Sequence, residues 1–198
     1  SSGTTGSQSA STSTALSSSE ALRTRTGYTF AGWNTLANGT GTDYAEGGLY
    51  SFAADITLYA KWTPDTYAVT YSGNSNTGGT APSNQTKTYA VSLTLQTNTG
   101  SLVRTGYTFG GWNTLANGSG DPYSSGGSYT ANAGITLYAK WTINTYTITY
   151  DGNTSDGGTT PTTGGYTTGQ ASPYSVVANT FTKSSHVFGG WNTAANGT

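Results

Sequence analysis

The chain repeats itself every 79 residues. Trp33, Trp112 and Trp191 are set at that interval, and so are Phe30, Phe109 and Phe188. Trp62 with Trp141, Lys61 with Lys140 and Tyr71 with Tyr150 keep the same period. The stretch RTGYTFAGWNTLANGT from Arg25 returns as RTGYTFGGWNTLANGS from Arg104, and more loosely as KSSHVFGGWNTAANGT from Lys183. A fixed period of this kind means one structural unit used several times. The period divides the chain into a complete module over 64–142 between two incomplete ones. Residues 1–63 lack a counterpart of the opening TYxxTY segment, and 143–198 lack one of ITLYAKW. The first 21 or so residues are almost wholly Ser, Thr, Gly and Ala, a composition that reads as a flexible tail.

Within a module the signals are those of strands. In TYTITY, Tyr146, Ile148 and Tyr150 alternate with threonines, and Ile135, Leu137, Ala139 and Trp141 alternate with Thr136, Tyr138 and Lys140. Period-two alternation of β-branched and aromatic residues is the strand pattern. Trp112 has the opposite parity to Tyr107 and Phe109, so the intervening Gly110-Gly111 pair is read as a bulge that turns the indole inward. Asn38-Gly39, Asn117-Gly118 and Asn196-Gly197 are read as tight hairpin turns with positive φ at two positions. At most a single helical turn is expected, near Ser17 to Leu22. The fold class is mainly β: small modules in tandem, with little or no helix.

Composition removes whole classes of function. There is no cysteine, which excludes a disulfide framework, a thiolate metal site and a cysteine nucleophile. Only 8% of residues are charged and the formal net charge is −1, so the cationic footprint of nucleic-acid binding is missing. No apolar run is long enough to span a membrane. In place of charge stand 41 Thr, 24 Ser and 29 Gly. Strands with so little charge are poorly guarded against edge-to-edge pairing, and self-association is the expected consequence.

The pattern GYTFxGWNT…ANG…ITLYAKWT, preceded by TYTITYDGN, resembles the Listeria–Bacteroides repeat, which is related to the B repeats of internalin-type surface proteins. The likeness covers the middle module and most of both flanking ones. It implies β-grasp-like modules strung in tandem on secreted or wall-attached bacterial proteins, acting as spacers, adhesion elements or assembly units without enzyme activity. The functional expectation is therefore an extracellular structural or adhesive repeat protein: a stalk, spacer or fibre subunit. Short links, WTPDTY and WTINTY, predict a stiff string. The incomplete end modules are read in two ways, as the ends of a piece cut from a longer tandem array or as the mark of head-to-tail assembly by strand exchange.

Candidate sites are few. Catalysis needs an acid, base or nucleophile in a shaped site. The one histidine, His186, fills a slot held by Tyr28 and Tyr107, and the acids do not recur: Asp43 aligns with Pro122 and Asp151 with Ser72. The loop Asp151-Gly152-Asn153 with Asp156 is oxygen-rich but short of the ligand count calcium needs, and a turn explains it. No cofactor or metal is expected. The five tryptophans are assigned to the core, where their volume is needed. Tyr44, Tyr50, Tyr123 and Tyr129 lie in Gly-rich loops and are the candidates for an exposed surface, the basis of an alternative reading as a module binding cell-wall or host glycan. Lys61 and Lys140 have no recurring acid beside them and are expected to snorkel. Asn38, Asn117 and Asn196 head Asn-X-Ser/Thr triplets that turn chemistry explains.

Overall fold

The computed structural model describes residues 9–10, 12–16, 24–162, 164–167 and 175–196. The expected single turn near Ser17 to Leu22 and the glycine of Asn196-Gly197 lie outside them. No helix occurs among the described residues. The first repeat contributes β1 (Thr14–Ala15), β2 (Tyr28–Asn34), β3 (Asp43–Tyr44), β4 (Leu49–Tyr50) and β5 (Tyr59–Pro64). The second contributes β6 (Thr66–Ser72), β7 (Gln85–Thr88), β8 (Leu93–Thr94), β9 (Tyr107–Asn113), β10 (Pro122–Tyr123), β11 (Ser128–Tyr129) and β12 (Ile135–Ile143). The third contributes β13 (Thr145–Ile148), β14 (Gly157–Gly158), β15 (Gly164–Thr167) and β16 (Phe181–Thr182).

The second repeat is the fullest. Its sheet runs β10-β9-β12-β6-β7, with β11-β8 as a separate pair. The first and last long strands, β6 and β12, lie side by side and parallel, from Ile135 opposite Val69 to Tyr138 opposite Ser72. The remaining neighbours are antiparallel. This is the β-grasp order without its helix: residues 89–106, which carry only the short strand β8, supply Leu95 and Leu102 to the core. Those two pack with Val69, Tyr71, Trp112, Tyr129, Leu137 and Ala139. The alternation read from the sequence holds, since Val69 and Tyr71 of β6 and Leu137 and Ala139 of β12 are all buried. The first repeat orders its strands β3-β2-β5 beside β1-β4, and the third pairs β13 with β15 and β14 with β16.

The bulge is where the sequence places it. Ala139 faces Trp112 and Trp141 faces Phe109, so Gly110 and Gly111 together oppose Lys140. Gly111 takes φ 99° and a Cβ there would sit 2.7 Å from the Tyr123 carbonyl oxygen. The result is a Trp112 with no exposed surface. Its indole Nε1 donates to Gln96 O at 2.9 Å, while Gln96 N donates to the Tyr71 hydroxyl at 3.0 Å. Two rings 4.8 Å apart thus hold one backbone unit. The third repeat rebuilds the clamp with Trp191, Tyr150 and Val177. Trp33, Trp62, Trp141 and Trp191 are half-buried, so only part of the indole surface is enclosed at those positions.

Two sequence expectations need correction. The Ser-rich head is not simply a tail: β1 pairs with β4, and Leu16 is buried with its N–H bonded to Gly48 O at 2.8 Å. One period later β8 pairs with β11 and Leu95 bonds Gly127 O in the same way. Low-complexity composition hid one apolar residue that keeps the repeat. The Asn-Gly turns are not two-residue hairpins either. Gly39 and Gly118 alone take positive φ there, inside the longer connection between β2 and β3 and its copy. Paired positive φ occurs instead at Asn74-Ser75 and at Asn153-Thr154.

Candidate functional site

Those long connections are wired by a residue of the core. Asn34 and Asn113 end the GWN strands with almost no exposure. Asn113 Nδ2 donates to Gly118 O and Gly120 O at 3.2 and 2.9 Å, and its Oδ1 accepts from Leu115 N and Gly120 N. Asn34 makes the same set to Gly39, Gly41 and Leu36 and adds Asp43 Oδ1 at 2.6 Å. Burying an amide is favourable only when its hydrogen bonds are met, and here both ends are. Asn38 and Asn117 sit at the exposed tips, each accepting from the N–H and hydroxyl of the residue two places on.

Lys61 has an acid beside it after all. Its ammonium pairs with Asp43 Oδ2. That ion pair, then the Asn34 amide, holds the Asp43 carboxyl below its ordinary value. Proline at the matching position, Pro122, leaves Lys140 without this partner, and no acidic or histidine cluster of metal-binding size exists among the described residues. Asp151 Oδ1 accepts from Asn153 N at 2.7 Å, and the Ser184 backbone N–H, then its hydroxyl, lowers the Asp156 carboxyl. Both acids of the oxygen-rich loop therefore cap backbone. His186 is exposed, its Nδ1 lying 2.8 Å from Ser184 O.

The four candidate tyrosines do not form an open face. Tyr129 is 2% exposed, its hydroxyl bonded to Ala133 O and its phenol raised by burial. It meets half-buried Tyr123 edge-on at 5.8 Å, as Tyr50 meets Tyr44 at 5.9 Å. Tyr129 is thus core rather than surface, because the Gly126-Gly127 turn folds β11 back under the sheet instead of leaving a loop in solvent. Tyr44, Tyr50 and Tyr123 keep part of their rings in solvent.

The joints between repeats are more distinctive. At the first, Asp65 N donates to Gly27 O at 2.9 Å, Tyr89 N donates to Asp65 O at 2.8 Å, and Thr29 Oγ1 donates to Asp65 Oδ1 at 2.9 Å. Tyr28 and Tyr89 meet edge-on at 5.5 Å, with Tyr89 lying over Gly27 so closely that a Cβ there would be 2.1 Å from its ring. At the second joint Asn144 N donates to Gly106 O at 2.9 Å and Thr108 Oγ1 donates to Asn144 Oδ1 at 2.7 Å. In both, an arginine covers a tyrosine face: Arg25 on Tyr28 at 3.7 Å, Arg104 on Tyr107 at 4.0 Å. An open cleft of about 450 Å³ lies at the first joint, lined by Arg25, Tyr28, Phe30, Trp62, Asp65 and threonines. Neither the buried asparagines nor the joint residues Asp65, Tyr89 and Asn144 were singled out from the sequence. The recurrence of asparagine after every GW was the available signal.

A family model of the Listeria-Bacteroides repeat domain matches residues 1–61, 67–140 and 146–198. A protein of Evansella cellulosilytica, provisionally named a Gly-rich membrane protein, is 39% identical over 135 residues, covering 65% of this chain and 16% of that protein. A second from the same organism, provisionally named a membrane protein, is 36% identical over 124 residues, covering 60% of this chain and 18% of that protein. The chain thus spans less than a fifth of these relatives. No solved structure matches, and no helix among the described residues is long and apolar enough to cross a membrane.

Proposed function

This chain belongs to the Listeria-Bacteroides repeat domain family, and on that premise we propose that it is a non-catalytic, structural or adhesive repeat segment of a prokaryotic cell surface. It serves as a stalk, spacer or fibre subunit outside the cell. The observation that carries the reading is the joint. The same two hydrogen bonds tie the link residue between β5 and β6, Asp65, to Gly27 and Thr29 and, one period on, the link residue between β12 and β13, Asn144, to Gly106 and Thr108. Linear arrays gain stability when neighbouring units are held in a fixed relation, and a link anchored the same way twice limits how each repeat can swing against the one before it. Assembly runs head to tail through exchanged strands. Electron microscopy and sedimentation over a range of protein concentrations test this: filaments that lengthen with concentration are expected, and compact monomers at every concentration would overturn the assembly.

A second reading, glycan binding, has one observation in its favour. The cleft at the first joint combines the rings of Tyr28, Phe30 and Trp62 with neutral hydroxyls and one charge of each sign, a setting that suits the apolar face and hydroxyls of a sugar. Tryptophan fluorescence against a polysaccharide panel separates the two, because only this reading expects a shift on adding sugar.

A further inference from the structure

Asn-X-Ser/Thr triplets begin at Asn38, Asn84, Asn117, Asn153 and Asn196. All but the last lie wholly within the described residues, and the structure separates them. Asn153 spends its amide nitrogen on Ala195 O at 2.8 Å. Asn84 leads straight into β7, where its Thr86 is committed to the ladder with β6.

Asn38 and Asn117 are alike and differ from both. Each is exposed at the tip of the connection that follows a long strand. Asn38 Oδ1 accepts from Thr40 N at 3.1 Å and from Thr40 Oγ1 at 2.7 Å. Asn117 Oδ1 accepts from Ser119 N at 3.0 Å and from Ser119 Oγ at 2.8 Å. Neither Nδ2 has a protein partner among the described residues. The buried amides of Asn34 and Asn113 use both of their ends on the base of the same loop, which turns its tip to solvent. The middle residue of each triplet is a glycine whose Cβ would meet nothing within 4 Å, so the tip stands clear of the protein. Beside it Leu36 is 49% and Leu115 50% exposed.

We propose that Asn38 and Asn117 are attachment sites for N-linked sugar, set one period apart on the first and second repeats. A transferase that reads the triplet uses a sugar diphosphate as donor. The carboxamide Nδ2 gives one proton to the enzyme's base and attacks the anomeric carbon. A C–N bond forms, the C–O bond to phosphate breaks, and the diphosphate leaves with the electron pair. Two donors aimed at Oδ1 stabilise the negative charge that the carboxamide takes up as its nitrogen loses the proton. The product suits this surface. With 8% of residues charged and a net charge of −1, the chain has little of the charge that keeps proteins soluble and apart. A bulky, solubilising sugar at each tip supplies that separation without charge and shades Leu36 and Leu115.

The inference rests on the placement outside the cell proposed above, and its test keeps the two apart. Cleavage after Arg and Lys puts the four triplets on separate peptides, 26–61, 62–87, 105–140 and 141–183. Protein taken from its own cells is cleaved and the peptides are fragmented in a mass spectrometer by electron transfer, which keeps sugars in place. Sugar is expected on Asn38 and Asn117, with 62–87 and 141–183 bare. Bare 26–61 and 105–140, sugar only on threonine, or conversion of the two asparagines to aspartate alone overturns the sites. Equal modification of Asn84 and Asn153 does so too, since it shows that the tips have no advantage. Thr40→Ala is expected to strip the sugar from 26–61 and Thr40→Ser to keep it. Sugar retained on 105–140 shows that the Thr40→Ala chain still reached the transferase, and sugar surviving on Asn38 in that variant overturns the site. Bare peptides from chain that added protease releases from intact cells remove the sites and leave the surface reading standing. Sugared peptides from chain sheltered from that protease keep the sites and remove the surface reading.

Discussion

At the scale of single residues, the repeat is organised by polar side chains that do what apolar ones cannot. Asn113 gives four hydrogen bonds to one loop from a site with no exposure. Replacing it with alanine strands backbone groups that it now satisfies, and the cost is expected to be about 3 kcal/mol. Asn117→Ala, at the exposed tip, is expected to cost about 1 kcal/mol or less. Urea unfolding of both variants checks the contrast. Lys87 is another such residue. It is fully buried on the edge strand β7, its ammonium bonded to Thr88 O and Asn132 Oδ1. A charge pointing inward from an edge strand discourages pairing there, so the chain is less unguarded than its composition indicates. Asp43 makes the first repeat sensitive to acid. Its carboxyl is lowered in the folded state, so its contribution is present above the ordinary value of 3.8 and is lost as pH falls below it. Thermal melts across that range are expected to show a drop that Asp43→Asn removes.

At the scale of elements, legibility followed periodicity. The strands, their core faces and the Gly110-Gly111 bulge were readable because side-chain alternation reports directly which face is buried. The turns were not. An Asn-Gly pair is a strong local signal, but the amide of Asn34 or Asn113 reaches across the loop and sets its backbone from a distance, which no local pattern encodes. The same limit misplaced Tyr129, whose Gly-rich neighbourhood resembles an open loop until β11 is seen to pair with β8. Of the candidate site, the joints were legible only as short links, since the bonds from Asp65 and Asn144 connect residues 36 apart. The bulge yields a clear expectation. Gly111→Ala imposes a strained positive φ and a contact of 2.7 Å on backbone, a cost of about 2 kcal/mol or more. Gly118→Ala meets nothing within 4 Å and is expected to cost about 1 kcal/mol. Comparative melting of the two variants is the measurement.

At the scale of the whole molecule, two joints of one design determine how the repeats are held in line. Tyr89 belongs to the second repeat and lies over Gly27 of the first. Tyr89→Ala is expected to leave each repeat folded while widening the range of angles between them, seen as a broader distance distribution in small-angle X-ray scattering. An unchanged distribution would assign the alignment to the Asp65 bonds alone. The central parallel pair carries a mechanical consequence for a tethered chain. Because β6 and β12 run side by side in one direction, the start of one and the end of the other lie at opposite ends of the sheet. A pull passed along the array enters at Thr66 and leaves at Ile143, loading the bonds between these strands in shear. They must give way together rather than peel one after another, so the second repeat resists stretching along the line from its first strand to its last.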